Sequence, residues 1–284
     1  SYYLGGYGHT GETCGSVFWT KFNQRFHQLF PNEEKYVAEI EKSIYNVILA
    51  CQTNDGNIRY HAVMEGERER PSGGHNSCCE GQGTRALGTL PEYIYSIAPD
   101  GLYVNLYEPS SINCTVNGQA VGLTIESEFP FKPQVAVKVK TSSAEKINLR
   151  IRIPSWATEK MAIYVNDKKF VTGKPGTYAE LSRKWDDGDV ISFTLPMGLH
   201  LNRYTGVNKV EGAERYAAEY GPVLLAVIGS EKTPAHIKID PSKPQNYLKQ
   251  TESLKFNVTD SLSFVPYWQV PEQQKFTIYP VVEK

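Results

Sequence analysis

Residues 76–85, Asn-Ser-Cys-Cys-Glu-Gly-Gln-Gly-Thr-Arg, set two thiols side by side ahead of a helical pattern. A disulfide between neighbours forces the intervening peptide and the S–S torsion away from relaxed geometry. Cys78 and Cys79 therefore point to a metal, a nucleophile, or both. Glu12 and Cys14 make a second small cluster at the opening of another helical pattern. Three thiolates and a carboxylate suit tetrahedral zinc, and a helix N-terminus favours thiolate over thiol through its dipole and free N–H groups. Buried structural cysteines are the plain alternative. The chain has five cysteines, an odd number without the spacing of a disulfide scaffold. Cys51 and Cys114 fall in helix-like and strand-like patterns and read as ordinary buried thiols.

Other groups near these clusters could move protons or hold a ligand. His9, His61 and His75 precede them, and a histidine beside a thiolate can act as general base or orienting group; loop histidines without a special role are the competing reading. Hydrolysis needs acid–base groups, and Glu65, Glu67, Glu69 and Glu80 are candidates. The alternating charges of residues 65–70 read most simply as a solvated hairpin tip, so Glu80, directly after the cysteines, has the better claim. Tyr7, Tyr60 and Arg85 could hydrogen-bond a polyol. A cysteine hydrolase in which Cys78 pairs with His75 or His61 needs no metal. His27 reads as a helical packing or surface residue, and nothing is assigned to His200 or His236.

The elements that must position these residues follow from hydrophobic period. Val17, Phe18, Phe22, Phe26, Leu29 and Phe30 recur at three and four and predict a helix over 13–30, stopped by Pro31-Asn32. Asn32 as cap, Glu33 and Glu34 in the first turn, and Tyr36, Val37, Ile40, Ile44, Val47 and Ile48 on one face predict a second helix ending near Cys51. Turn signals at 54–56 and 71–74 flank a strand-like 58–63, so the cysteine pair is reached through a long loop. Beyond Gly83, Ala86, Leu87, Leu90, Tyr93, Ile94 and Ile97 predict a third helix ending at Pro99, with Pro91 as a kink. After residue 100 the period changes to two, at 102–107, 135–139, 147–153 and 190–195, with turns about every ten residues, the pattern of a sandwich.

With 284 residues, 40% of them hydrophobic, the chain is long enough for one large domain or two ordinary ones. Its 30 basic and 31 acidic side chains give a net charge of −1, which excludes the electrostatic footprint of a nucleic-acid binder. No apolar run approaches the roughly 20 residues needed to cross a bilayer, so no membrane partner is expected. Three helices in about 100 residues leave an incomplete layer, and an N-terminal portion is expected to lie outside this sequence, any export signal with it. Localisation stays open between bacterial cytoplasm and periplasm or secretion.

Together, Glu12-Thr13-Cys14, the stretch Cys78-Cys79-Glu80-Gly81-Gln82-Gly83-Thr84-Arg85, Leu149–Trp156 and Trp185-Asp186-Asp187-Gly188-Asp189 resemble the β-L-arabinofuranosidase type of glycoside hydrolase. The likeness runs from residue 5 to about 228. It implies an α+β multidomain chain: the last helices of an (α/α)6 catalytic barrel in residues 1–100, then an all-β sandwich region in 101–284 that holds one or two sub-domains. It implies zinc held by Glu12, Cys14, Cys78 and Cys79, and Cys78 as nucleophile of a retaining double displacement on an L-arabinofuranoside or related oligosaccharide or glycan. His9, His75 and Tyr60 become candidates for binding that substrate. Two positions depart from the family. Gly5-Gly6-Tyr7-Gly8 runs almost directly into Gly11-Glu12, leaving no glutamate where the family's acid/base lies, so either Glu80 or Glu67 takes that role, or the acid lies outside this sequence, or activity is lost. Asn76 stands where the family has histidine, with His75 as its neighbour. The alternative from another class is a non-catalytic carbohydrate-binding or structural protein with a structural zinc site.

Overall fold

The structure, a computed structural model, describes residues 4, 11–68, 77–142 and 146–283. Helix α1 spans Thr13–Leu29, as the period predicts. The face it covers is not the expected one. Val17, Thr20, Asn23 and His27 form its buried stripe, while Phe18, Trp19, Phe22, Leu29 and Phe30 are 45–71% exposed. The aromatic residues pack on each other instead, with Phe26 stacked 5.3 Å from Tyr36 and edge to face with Phe22 at 4.7 Å.

Helix α2 (Glu34–Ser43) runs through a π turn at Ile44–Ile48 into α3 (Leu49–Cys51), so the helical stretch does reach Cys51. Asn32 is not its cap: the helix starts at Glu34, and the Asn32 Oδ1 accepts a 2.8 Å bond from the Tyr103 hydroxyl. In the π turn, buried Asn46 donates to the Pro222 carbonyl at 2.9 Å and accepts from Leu224 N at 2.8 Å.

Residues 58–63 do not form the expected strand. Alternation alone gives no ladder partner, and the segment is held by isolated bridges, Gln52 to Ile58 and Glu12 to His61. Nor is 65–68 a solvated tip: β1 (Glu65–Glu67) pairs antiparallel with a late strand, Arg68 is 2% exposed, and Glu65 is ion-paired with Arg215. The third helix is α4 (Cys78–Gly88), starting earlier than its apolar period indicates. After a break, α5 (Pro91–Ile94) gives way to strand β2 (Tyr95–Ala98). Pro91 fits the first turn of a new helix, and β-prone Tyr95 and Ile97 pair with β3 (Gly101–Val104).

Two compact units result. One comprises Ser1–Thr20, Lys42–Leu87 and Gly198–Lys284; the other Lys21–Glu41 and Gly88–Met197. The second unit contains β4 (Ser110–Val116), β5 (Gln119–Ser127), β6 (Gln134–Thr141), β7 (Lys146–Ile153), β8 (Met161–Val165), β9 (Lys168–Gly173), β10 (Thr177–Lys184) and β11 (Val190–Thr194). They form a four-stranded sheet β10-β7-β3-β2 and a six-stranded sheet β4-β5-β6-β11-β8-β9, whose inward residues, Ile147, Leu149, Val137, Ile163 and Ile191 among them, are at most 2% exposed. The strands expected at 135–139, 147–153 and 190–195 are all present.

In the first unit, β12 (Leu199–Arg203), β13 (Glu214–Tyr220), β14 (Val223–Ile228), β15 (His236–Lys238), β16 (Lys249–Glu252), β17 (Lys255–Asn257), β18 (Ser263–Pro266), β19 (Lys275–Thr277) and β20 (Val281–Glu283) join β1 in a ten-stranded sheet. Among the described residues, no helix is long and apolar enough to cross a membrane.

His27 makes the second unit sensitive to acid. It is 3% exposed, and burial, with the charge of Arg152 adding to it, lowers its pKa from 6.5 to about 4. The folded state holds the neutral ring, so its contribution is complete above pH 6.5 and is lost as pH falls toward 4. That shift corresponds to roughly 3 kcal/mol across the window. Denaturant unfolding of His27→Gln at pH 7 and pH 4.5 is expected to show a smaller acid-induced loss than the parent; an equal loss would place the sensitivity elsewhere.

Candidate functional site

One irregular backbone stretch positions both ligand clusters. Gly11 adopts a φ of 75° and passes so close to residue 62 that a Cβ would lie 2.8 Å from the Ala62 carbonyl oxygen, which only glycine allows. Ala62 N donates to Gly11 O at 2.8 Å, and Thr13 N to Tyr60 O at 2.9 Å. Thr13 Oγ1 adds a 2.7 Å bond to the Arg59 carbonyl. From the other side, α4 presses on the same stretch at Gly83, where a Cβ would meet Ile58 Cγ2 at 2.8 Å. The N-termini of α1 and α4 are thereby registered on residues 58–62.

The start of α4 is fixed by a reciprocal cap. Glu80 N donates to Ser77 Oγ at 3.2 Å, and Ser77 N donates to Glu80 Oε2 at 3.0 Å. This is the capping box written as Ser-x-x-Glu, a signal present in the sequence that the reading of Glu80 as an acid/base overlooked.

Glu12, Cys14, Cys78 and Cys79 come together, their ligand atoms all within 4.8 Å of one another. Cys14 Sγ lies 3.4 Å from Glu12 Oε2 and 3.9 Å from Cys78 Sγ, and Cys14 N donates to Cys79 Sγ at 3.4 Å. A tetrahedral zinc with ordinary bond lengths has sulfur–sulfur edges of about 3.8 Å and sulfur–oxygen edges of about 3.5 Å. The donor set fits a metal in both chemistry and span. Exposure differs along the set: Cys79 is fully buried, Cys14 is 9% exposed, and Cys78 faces solvent.

The electrostatics also favour a cation. Burial, then hydrogen bonding with Cys79, Glu12 and Cys78, pushes the Cys14 thiol up to about 12. Burial also raises Cys79. Cys78 moves the other way, held below the ordinary thiol value first by the hydrogen bond from Tyr60. The Tyr60 hydroxyl stands 3.5 Å from Cys78 Sγ, and that same bond raises the phenol's pKa. Three thiols and a carboxylate this close cannot all carry charge without a counter-ion.

Of the sequence candidates, the four ligands and Tyr60 are gathered at one point. Glu80 lies in the cap of α4, Arg85 is exposed on that helix, and Glu67 sits in β1 opposite Lys275. His61 contributes backbone to the bridge with Glu12. His9, His75, Tyr7 and Glu69 lie outside the described residues.

Two family models match the chain: the β-L-arabinofuranosidase GH127 catalytic domain over residues 2–92 and the GH127 middle domain over residues 101–197. Among curated proteins, none matches. Solved structures with the same fold include a glycoside hydrolase (TM-score 0.78, 20% identity, 96% of this chain and 52% of that one). A GH127 β-L-arabinofuranosidase from Geobacillus stearothermophilus T6 aligns with TM-score 0.78 at 21% identity, over 96% of this chain and 50% of its own. A third, a GH127 β-arabinofuranosidase, gives 0.75 at 20% identity, over 96% and 49%. The chain thus spans about half the length of the structures it matches. Two adjoining domain models of one family and a cluster of its paired Glu-x-Cys and Cys-Cys motifs lead to one conclusion: this chain belongs to the β-L-arabinofuranosidase family GH127.

Proposed function

We propose that the chain carries the nucleophile and the metal-binding residues of a retaining glycoside hydrolase acting on L-arabinofuranosides or a related glycan. The observation that carries this reading is the exposure gradient within one cluster: Cys79 buried, Cys78 open to solvent, all four ligand atoms within 4.8 Å. Glu12, Cys14, Cys78 and Cys79 would hold zinc, whose charge keeps the three sulfurs as thiolates. Cys79 and Cys14 are the holding ligands. Cys78 Sγ attacks the anomeric carbon, the leaving oxygen departs with a proton from an acid, and a thioglycosyl bond to Cys78 forms. Water, giving its proton back to that same acid/base, then displaces the sulfur, retaining configuration overall. Tyr60, 3.5 Å from Cys78 Sγ, orients the thiolate, and His9 and His75 with Tyr60 are the proposed substrate-binding set.

Glu80 is the proposed acid/base and the least well placed of the set. Residues two apart in a helix are turned about 200° from each other, and one Glu80 oxygen is engaged by Ser77 N. We further propose that residues 1–100 are the closing part of an (α/α)6 barrel and 101–284 its sandwich region. The exposed row Phe18, Trp19, Phe22, Leu29 and Phe30 supports this, because a helix with such a face needs a covering layer.

Two measurements on the purified protein test the proposal. Elemental analysis is expected to find about one zinc per chain, the load of a single four-ligand site, with Cys14→Ser and Cys79→Ser reducing it. NMR of an aryl β-L-arabinofuranoside digest should show the β-anomer of L-arabinose forming first. No metal together with no sugar release would defeat the proposal, and metal without turnover would favour a structural zinc site on a non-catalytic glycan-binding protein.

A further inference from the structure

The second unit contains a cleft of about 620 Å³ bordered by α1, α5, β2 and the start of β4. That volume lies within the roughly 300–1,000 Å³ of small-molecule sites. The lining carries no free charge to hold an ion: Glu92 is paired with Lys21 at 3.1 Å, and His27 is a neutral ring at pH 7. What it offers instead are the amides of Gln24 and Gln28 and the hydroxyl of Ser111, each able both to donate and to accept.

A polar chain leads into the lining. Tyr178 donates to Asn105 Oδ1 at 2.8 Å, Asn105 Nδ2 to Ser96 Oγ at 2.8 Å, and Ser96 Oγ meets His27 Nε2 at 3.0 Å. The other ring nitrogen, Nδ1, is buried and has no hydrogen-bond partner among the described residues, although His27 borders the cleft. Whichever tautomer is present, one ring nitrogen of this 3% exposed side chain is left unsatisfied. The rings of Tyr95 and Tyr103 and the side chains of Ile97 and Ile112 supply apolar wall beside these groups.

Uncharged donor–acceptor groups beside aromatic surface match a molecule with hydroxyls on its edges and C–H groups on its faces. We propose that this cleft binds a small uncharged polyhydroxylated ligand, a mono- or disaccharide, with Gln24 and Gln28 as polar contacts and Tyr95 as apolar wall. The inference concerns residues other than the thiol–carboxylate cluster and does not rest on its reading.

Isoleucine methyl NMR of the whole chain tests it, with Ile97 and Ile112 assigned through their valine variants. L-Arabinose is expected to shift both methyls saturably, with a Kd on the order of 1 mM, the weak end of the affinity scale. The response should persist in Cys78→Ala, weaken at least about fivefold in Gln24→Ala, where a hydrogen-bonding amide is lost, and vanish in Ser111→Trp, which fills the cleft from an exposed position. Absence of a saturable shift up to roughly 50 mM, tens of times that Kd, would overturn the proposal. So would an unchanged response in Ser111→Trp, or saturation of the same methyls by cyclohexanol but not by the sugar.

Discussion

Replacing Cys78 with alanine is expected to lower kcat/KM for an aryl β-L-arabinofuranoside by at least about a thousandfold, roughly 4 kcal/mol of transition-state stabilisation. The size follows from the nucleophilic role proposed for it. A nucleophile forms the bond that replaces the departing glycosidic oxygen, and alanine offers nothing to attack with. Cys78 is also the exposed corner of the four-ligand cluster, so metal content must be measured beside rate. Cys14→Ser is the control. It disturbs the proposed holding ligand 3.9 Å from Cys78 Sγ, and its loss of activity should track its loss of metal and return with added zinc. Cys78→Ala should stay inactive at any zinc concentration. Equal recovery of both variants would show that Cys78 only holds the metal. Glu80→Gln adds a second comparison, because glutamine still closes the capping box. If Glu80 is the acid, this variant loses rate on poor leaving groups and keeps its fold. An unchanged rate assigns the proton to another residue.

The cluster was legible in the sequence because its signals are local. Adjacent thiols cannot relax into a disulfide, and Glu12-Thr13-Cys14 places two more donors at a helix start. Strands β6, β7 and β11 were legible for a similar reason, their period-two alternation being strict over five residues or more. Helix α1 marks the limit. Period shows that a helix has two faces but not which is covered, and here Thr20, Asn23 and His27 lie inside while Phe18 and Phe22 face out. Residues 58–63 alternate like a strand, yet their backbone bonds go to Gly11, Thr13 and Cys51. No pattern within six residues records partners that distant.

Arg152 is the sharpest case of a residue whose meaning depends on distant partners. In β7 it shares a face with Arg150, and alternation alone makes both outward-pointing polar residues. Arg150 does reach the surface, paired with half-exposed Asp100. Arg152 is 0% exposed, its guanidinium 2.7 Å from Glu34 and 3.0 Å from Glu41, both on α2. The cluster is closed by Ser155 N donating to Glu34 at 3.2 Å and Trp156 Nε1 donating to Glu41 at 2.7 Å. Burial opposes the charge on Arg152, and the Glu41 and Glu34 carboxylates outweigh it, holding the guanidinium above its ordinary pKa. Removing Glu41 leaves buried charge and a partly buried indole N–H without that partner. Glu41→Ala is therefore expected to cost about 3–5 kcal/mol, a fall in Tm of about 5–8 °C at this chain length. Replacing Glu34, Glu41 and Arg152 together by leucine, leucine and methionine should restore much of that loss, since a packed apolar group avoids the desolvation an ion cluster must overcome. The exposed Lys138–Glu126 pair sets the contrast, with Glu126→Ala changing stability by less than about 1 kcal/mol. Calorimetry on these three variants decides the matter. A Tm within about 2 °C of the parent for Glu41→Ala, the shift of a surface substitution, would mean that α2 is held to the sheet by packing alone.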